Sequence, residues 1–287
     1  MKNSLFKNTP FSKASYNLHT FIIWMVLSVA VGLIIGVAGT AFSFVLHCVN
    51  RLRSEYPWLL FCLPAAGAFI VWIYSLDKEK SAGGTNLIIR SVRSESETPL
   101  ILAPLIFVST ALTHLCGGSA GREGAALQLG GSIGGAIGRK LHLEPIRQSE
   151  IVMCGMAAAF AALFGTPMTA AVFALEISAV GLMSYGALIP CALSAVTASM
   201  VSSSFGIEAE TFPLSPIELN PFNALKVIFL ASMCALVAIL FCVVMHKCEH
   251  MAEHYIANPY LRAALGGVII IVMTYMLGTR DYLWMRI

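Results

Sequence analysis

One glutamate stands inside a glycine-rich, largely apolar part of the sequence. Residues 117–128 read Gly-Gly-Ser-Ala-Gly-Arg-Glu-Gly-Ala-Ala-Leu-Gln, and the glutamate is Glu123. Glycine lets the backbone turn with few steric limits, and good helix formers begin at Ala125. The segment therefore predicts a tight turn that leads into the N-terminus of a helix. Such a terminus has unpaired N–H groups and a partial positive charge, so it binds anions.

The role of Glu123 has two interpretations. A carboxylate in an apolar span is costly and is usually functional. At the first turn of the helix, Glu123 can occupy the anion site itself. When protonated, it can move away and admit an ion, while Arg122 neutralises it in the closed state. The same two residues also fit a helix-capping Glu–Arg pair with no role in transport, because an acidic side chain near a helix N-terminus is stabilising.

The composition places this segment in a membrane protein. The chain has 287 residues, of which 57% are hydrophobic and 11% are charged, and its mean hydropathy is +0.79. A soluble domain carries about 25% charged residues. The composition excludes a nucleic-acid-binding module and an ordinary cytosolic enzyme. Walker, Rossmann, HExxH and GxSxG patterns are absent from the sequence, so we expect neither enzymatic activity nor a cofactor.

Apolar runs alternate with short polar breaks along the chain. The runs cover 21–49, 58–76, 100–116, 151–180, 185–205, 222–244 and 261–277. A helix needs about 20 apolar residues to cross a bilayer, and several runs reach that length. We therefore predict an all-α, multi-pass protein of the cell (inner) membrane. Lysines near the N-terminus and around residue 80 favour a cytoplasmic tail over residues 1–20.

Three pieces are too short to span a bilayer. Residues 124–139 would form a helix of only roughly 24 Å, and residues 85–92 and 168–180 predict shorter ones. Half-length helices at membrane depth occur where backbone ends line a substrate cavity, which makes them pointers to a transport site. The alternative is that these pieces are loops between ordinary spans.

Histidines carry two further hypotheses. Cys242, His246, His250 and His254 recur every four residues, which is metal-ligand spacing on one helical face. A helix leaving the membrane with a polar interfacial face explains them without a metal, and we predict no metal site. His114 precedes the glycine-rich turn. It fits a proton relay or a packed histidine that is hydrogen-bonded to a neighbouring helix.

The motifs resemble those of one family. Gly121-Arg122-Glu123-Gly124 is similar to the GREG signature of the CLC chloride channels and anion/proton exchangers. A short polar helix start, 84–87, lies upstream where that family has its GSGIP motif, and residues 155–176 resemble its paired interface helices. The resemblance implies an inverted-repeat architecture with broken and re-entrant helices, and a homodimer.

The resemblance also assigns residues. It implies that Glu123 is the gating and proton-transferring glutamate and that Thr85 stands where the family has an anion-coordinating serine. Glu176 matches the first of two adjacent glutamates in the exchangers, and Ile177 stands at the internal proton acceptor. The implied anion-binding residues are Gly84, Thr85, Asn86, Gly121, Arg122, Gly124 and Ala125. The implied partners are chloride or fluoride, protons and the bilayer. The upstream variant Gly-Thr-Asn-Leu resembles the fluoride-exporting branch.

The second repeat is predicted to be incomplete. We divide the chain into the tail (1–20), a first repeat (21–206), an acidic loop (207–221) and the truncated start of a second repeat (222–287). A GxFxP-like anion loop and an ion-binding tyrosine are missing from the latter part of the sequence. Two functions follow from these observations. One is transport of chloride or fluoride by a CLC-type channel or antiporter, and the other is a non-transporting fragment that associates with an intact relative.

Overall fold

The computed structural model describes residues 10–76, 84–93, 98–177, 185–207 and 220–278, with side chains from residue 20 onward. These residues form helices and no β-strand, which confirms the predicted all-α fold. Residues 208–219 of the predicted acidic loop and residues 279–287 lie outside the described part. The helices are α1 (Pro10–Glu55), α2 (Leu63–Ser75, after a 3-10 helix Pro57–Cys62), α3 (Gly84–Val92), α4 (Leu102–Leu115), α5 (Glu123–Lys140), α6 (Pro145–Phe164), α7 (Pro167–Glu176), α8 (Tyr185–Ser204), α9 (Pro221–Tyr255) and α10 (Pro259–Leu277).

Six helical stretches among the described residues are long and apolar enough to cross a membrane. They are most of α1, the 3-10 helix with α2, and α6, α8, α9 and α10. Helices α3, α4 and α7 have nine, 14 and 10 residues, well below the about 20 that a span requires. The predicted combination of full spans and short helices is therefore present.

The chain breaks between α6 and α7 at Gly165-Thr166-Pro167, whose glycine and proline predict an interruption of the apolar run 151–180. Gly165 takes a left-handed conformation (φ 67°) directly after the last residue of α6, which suits a residue without a Cβ. Pro167 then begins α7, where its missing N–H costs no helical hydrogen bond. One long apolar run consequently becomes two helices with a sharp corner at Phe164.

Helix α6 forms the centre of the core. Nearly all of its residues from Ile151 to Leu163 are buried, and it packs against α1, α5, α7 and α8. Alanines make up much of this helix, so neighbouring backbones approach closely. Small residues recur on α8 and are typical of packing or of a subunit contact. Of these, Ser194 is buried in the core and donates a hydrogen bond to the carbonyl oxygen of Cys154 at 3.0 Å.

Helix α5 is held between two neighbours by glycines on two faces. A Cβ built on Gly130 would overlap the carbonyl oxygen of Gly155 on α6, and one on Gly134 would lie 2.7 Å from the carbonyl oxygen of Ile151. On another face, a Cβ on Gly131 would lie 2.6 Å from Cγ2 of Ile88 on α3. The four-residue glycine spacing predicts close crossing, and the contacts with α6 confirm it.

We expect Gly130→Ala to destabilise the protein by about 1–3 kcal/mol, the usual cost of overpacking. The added methyl group meets backbone atoms of α6, which cannot move aside as a flexible side chain can. Thermal unfolding of the purified protein measures the effect. Gly266→Ala on α10 is the matched control, because a Cβ there meets nothing within 4 Å. Equal unfolding temperatures for both variants would contradict the packing argument.

Two helices extend beyond the predicted runs. Helix α1 begins at Pro10, well inside the predicted tail of residues 1–20. Helix α9 continues past residue 244 to Tyr255 and has no buried residue over its 35 residues. The histidines His246, His250 and His254 therefore lie on an exposed helix. The described residues contain no group of three or more metal-ligand side chains, and the metal alternative gains no support.

Candidate anion site

The N-termini of α3 and α5 meet. A Cβ built on Gly124, in the first turn of α5, would lie 3.1 Å from Oγ1 of Thr85, in the first turn of α3. One turn further along α5, the side-chain amide Nε2 of Gln128 lies 3.2 Å from the same hydroxyl oxygen. Each helix start carries roughly half a positive charge. The arrangement therefore concentrates positive potential at one place.

Free backbone donors are present at the start of α5. The first helical hydrogen bond runs from the N–H of Ala126 to the carbonyl oxygen of Arg122, at 2.9 Å. The N–H groups of Gly124 and Ala125 precede this ladder and have no acceptor within the helix. The side chain of Ala125 is a buried methyl group. Ala125 can therefore offer only its backbone N–H to an anion. Such N–H groups bind an anion readily.

Glu123 is the first residue of α5, as the sequence predicts. Its side chain is exposed among the described residues. A Cβ built on Gly121 would lie 2.5 Å from Oε2 of Glu123, so the carboxylate folds back over the turn that precedes the helix. A negative group in this position is stabilised by the helix N-terminus and competes with any free anion for it.

A third element reaches the turn through Arg122. The guanidinium carbon of Arg122 lies 5.4 Å from the ring centroid of Phe164, at the corner between α6 and α7. Cation–π contacts of this length are attractive. Phe164 in turn packs against Phe160, with ring centroids 4.4 Å apart. The α6–α7 corner thus supports the turn, and neutralisation of Glu123 by Arg122 stays a prediction.

A second cation and a histidine lie beneath the same turn. Gly117, with φ 78°, lies two residues after the end of α4, and a Cβ on it would lie 3.8 Å from Nε of Arg53 near the end of α1. His114 is buried. The charged side chains of Arg122, Arg53 and Glu123 lie near enough to interact with it electrostatically. Neither ring nitrogen of His114 has a hydrogen-bond partner among the described residues. His114 is therefore packed, as one of its two interpretations predicts. The hydrogen bond to a neighbouring helix that this interpretation includes is not present among the described residues.

The other residues named from the sequence are placed as follows. Gly84 begins α3 in a left-handed conformation (φ 55°), which favours glycine. Asn86 follows Thr85 in the same turn and is exposed. Glu176 is the exposed last residue of α7, and Ile177 after it packs against the core. The structure brings Gly124 against Thr85 and the Glu123 carboxylate against Gly121, whereas Asn86 has no described contact to these residues.

Sequence reasoning missed Gln128, Phe164 and Arg53. A signal existed for Gln128, because it is polar within an apolar run and stands four residues after Gly124, on the same helical face. Phe164 and Arg53 gave no comparable signal. Their contacts with the turn depend on how distant helices pack.

We expect Gly121→Ala to displace the Glu123 carboxylate and to raise anion flux at neutral pH roughly two- to tenfold, the range that follows from an off-rotamer cost of about 0.5–1.5 kcal/mol. The added methyl group would take the space of Oε2, which is the mobile end of a side chain. Liposome flux assays measure the change. Gly186→Ala is the control, because its Cβ would meet Oε1 of Glu150 at an ordinary 3.4 Å. Unchanged flux for Gly121→Ala would contradict the position of the carboxylate.

These features define a multi-pass membrane protein in which two helix N-termini, those of α3 and α5, meet. A sequence model of the family described as voltage gated chloride channel matches residues 66–284, and the chain belongs to this family. The predicted CLC resemblance is thereby confirmed. The match to the family model extends over residues 66–284 and is not confined to the GREG segment at residues 121–124.

Relatives and solved structures agree with this assignment. The chain is 31% identical over 264 residues to a chloride/fluoride channel protein of Pseudomonas syringae pv. tomato, covering 91% of this chain and 58% of the relative. It is 21% identical to an uncharacterized protein of Methanocaldococcus jannaschii, covering 88% of this chain and 63% of the relative. The chain thus spans less than two thirds of these curated relatives.

Two solved structures share the fold. The crystal structure of a CLC-type fluoride/proton antiporter superposes with a TM-score of 0.85 at 31% identity, covering 96% of this chain and 68% of that chain. The structure of a slow cyanobacterial Cl⁻/H⁺ antiporter gives a TM-score of 0.71 at 19% identity, covering 92% of this chain and 64% of that chain. At this lower identity, the second likeness concerns the fold alone.

Proposed function

We propose that this chain moves a small inorganic anion, chloride or fluoride, across a cell (inner) membrane past a gate formed by Glu123. One observation carries the proposal. Glu123 is the first residue of α5, and its carboxylate lies against Gly121 in the turn before that helix. A carboxylate there occupies the place where the free N–H groups of a helix start attract an anion.

The gate works by competition and protonation. The ionised carboxylate is held by the partial positive charge at the start of α5 and excludes a free anion. A proton on Glu123 removes this attraction, and the side chain rotates away from Gly121. The anion then binds to the N–H groups of Gly124 and Ala125 and to the hydroxyl of Thr85. Return of the carboxylate releases the anion and the proton.

Fluoride is the favoured cargo of the two. The relatives at 31% identity are a chloride/fluoride channel protein and a fluoride/proton antiporter. Fluoride is small and accepts strong hydrogen bonds, which suits a site built from a hydroxyl and backbone N–H groups. Chloride fits the same donors with weaker bonds, so both anions belong in the assay.

Proton coupling in this chain rests on Glu123. Ile177 stands where the resemblance places an internal proton acceptor, and it packs against the core. An isoleucine cannot carry a proton. A coupled exchanger therefore requires another internal path, and a channel requires none. Simultaneous anion and proton flux measurements separate these two cases.

The second candidate is a non-transporting membrane protein that associates with an intact relative. The chain spans 58% and 63% of the two curated relatives. In this candidate the helix starts of α3 and α5 are present, but no anion crosses the membrane. We propose a homodimer for the transporting form, and chemical cross-linking in membranes tests that assembly.

Efflux from liposomes tests the proposal. Purified protein is reconstituted into vesicles loaded with potassium fluoride or potassium chloride, valinomycin removes the voltage, and ion electrodes record anion release together with external pH. We expect release above that of protein-free vesicles, faster for fluoride, and changed by pH. Absence of release for both anions would overturn transport and leave the second candidate.

A further inference from the structure

Gln128 is a buried polar residue next to the anion site. It lies in α5, one helical turn after Gly124, and only 8% of it is exposed. Its amide Nε2 lies 3.2 Å from Oγ1 of Thr85 on α3. This hydrogen bond joins the two helix starts whose N-termini form the site.

The hydrogen bond fixes the direction in which Thr85 donates. An amide nitrogen has only donors, so the hydroxyl oxygen of Thr85 is the acceptor. The hydroxyl hydrogen must then point elsewhere. Thr85 is the second residue of α3, so no carbonyl of the preceding helical turn accepts this hydrogen, and Thr85 donates to no acceptor among the described residues. An uncommitted hydroxyl beside two helix N-termini is a ready donor for an anion.

We infer that Gln128 is a positioning residue. Its amide donates to a lone pair of the Thr85 hydroxyl oxygen, so that the hydroxyl hydrogen of Thr85 stays available to the anion. The inference rests on the proposed function and deepens it. Gln128 need not touch the anion. Hydrogen bonds in a chain also polarise one another, so donation from Gln128 strengthens the bond from Thr85 to the anion.

The opposite amide direction has the opposite consequence. If the carbonyl oxygen of Gln128 accepted the hydrogen of Thr85, the hydroxyl would be occupied, and loss of Gln128 would release it for the anion. Removal of the amide would then strengthen anion binding. The sign of the effect therefore decides between the two arrangements.

The test compares four forms of the purified full chain: the parent protein, Gln128→Met, Thr85→Val and the double variant. Methionine keeps the length of the side chain and removes the amide. Calorimetric titration with sodium fluoride and sodium chloride gives the dissociation constants, and liposome efflux is recorded in parallel. Gln148→Met is the matched control, because Gln148 donates to the carbonyl oxygen of Gly135 near the other end of α5.

We expect Gln128→Met to weaken fluoride binding about three- to tenfold, the range for a lost hydrogen bond, with a smaller change for chloride. In the Thr85→Val background, the same substitution should have no further effect, because Gln128 acts through that hydroxyl. If Gln128 had only a structural role, Gln128→Met would weaken binding by the same factor in the parent protein and in Thr85→Val. Gln148→Met should leave the dissociation constants unchanged.

Several outcomes overturn the inference. They are stronger or unchanged anion binding in Gln128→Met, an undiminished effect in the Thr85→Val background, and no anion binding by the parent protein. If Gln128→Met does not fold, Gln128→Glu replaces it, since a carboxylate keeps the shape without the N–H donor and should weaken binding at least as much. Anion binding without efflux would overturn only the proposed transport.

Discussion

Glu123→Gln is expected to abolish proton movement and to remove the pH dependence of anion flux. The amide keeps the shape of the side chain, but it neither ionises nor carries a proton. The N-terminus of α5 then has no competing carboxylate. Because such a charge–dipole contact contributes about 0.3–1 kcal/mol for an exposed side chain, we expect the anion to bind roughly two- to fivefold more tightly.

Flux at a series of pH values, with simultaneous proton recording, measures this change. Glu249→Gln is the control, since Glu249 lies on the exposed helix α9 away from the site. The control should retain the pH profile of the parent protein. A parental profile in Glu123→Gln would leave the helix-capping interpretation of the Glu123–Arg122 pair as the better one.

Thr85→Val should weaken anion binding roughly tenfold or more. Valine has nearly the same shape as threonine and lacks the hydroxyl, and a hydrogen bond to a charged group contributes about 1.5–3 kcal/mol. Fluoride binding should fall more than chloride binding, because fluoride is the stronger acceptor. The ratio of fluoride to chloride efflux should therefore decrease.

Two controls distinguish this effect from a change in packing. Thr85→Ser keeps the hydroxyl and should keep the fluoride preference. Thr274→Val on α10 removes a hydroxyl that donates to the carbonyl oxygen of Ile270 at 2.8 Å, far along the chain from the site, and should leave both fluxes unchanged. An unaltered fluoride to chloride ratio in Thr85→Val would remove Thr85 from the anion site.

Local sequence signals predicted the short helices well. Residues 124–139 were expected to be helical, and α5 covers Glu123–Lys140. The glycine-rich turn marks its start, and Arg139 and Lys140 suit the negative end of the helix. Gly165 and Pro167 likewise marked the corner after α6. At these places the backbone preference of single residues decides the structure, so the sequence is sufficient.

Contacts between distant helices were beyond the sequence. Gln128 and Thr85 are 43 residues apart, and their hydrogen bond exists because the glycines of α5 let α3 approach. Arg53 and Gly117 come together although α2, α3 and α4 lie between them in the sequence. The apolar run 222–244 did not mark the end of α9, but the four-residue spacing of His246, His250 and His254 did predict that the helix continues beyond it.

The glycines along α5 have a consequence for engineering this protein. Backbone contacts with α6 fix the middle of α5, and the side chain of Ile88 on α3 packs against another of its faces. The start of α5 therefore cannot shift alone. Substitutions at the crossing of α5 with α6 and α3 that are selected for heat resistance should also change ion preference. A library sorted only for thermal tolerance should therefore yield variants with altered ratios of fluoride to chloride flux.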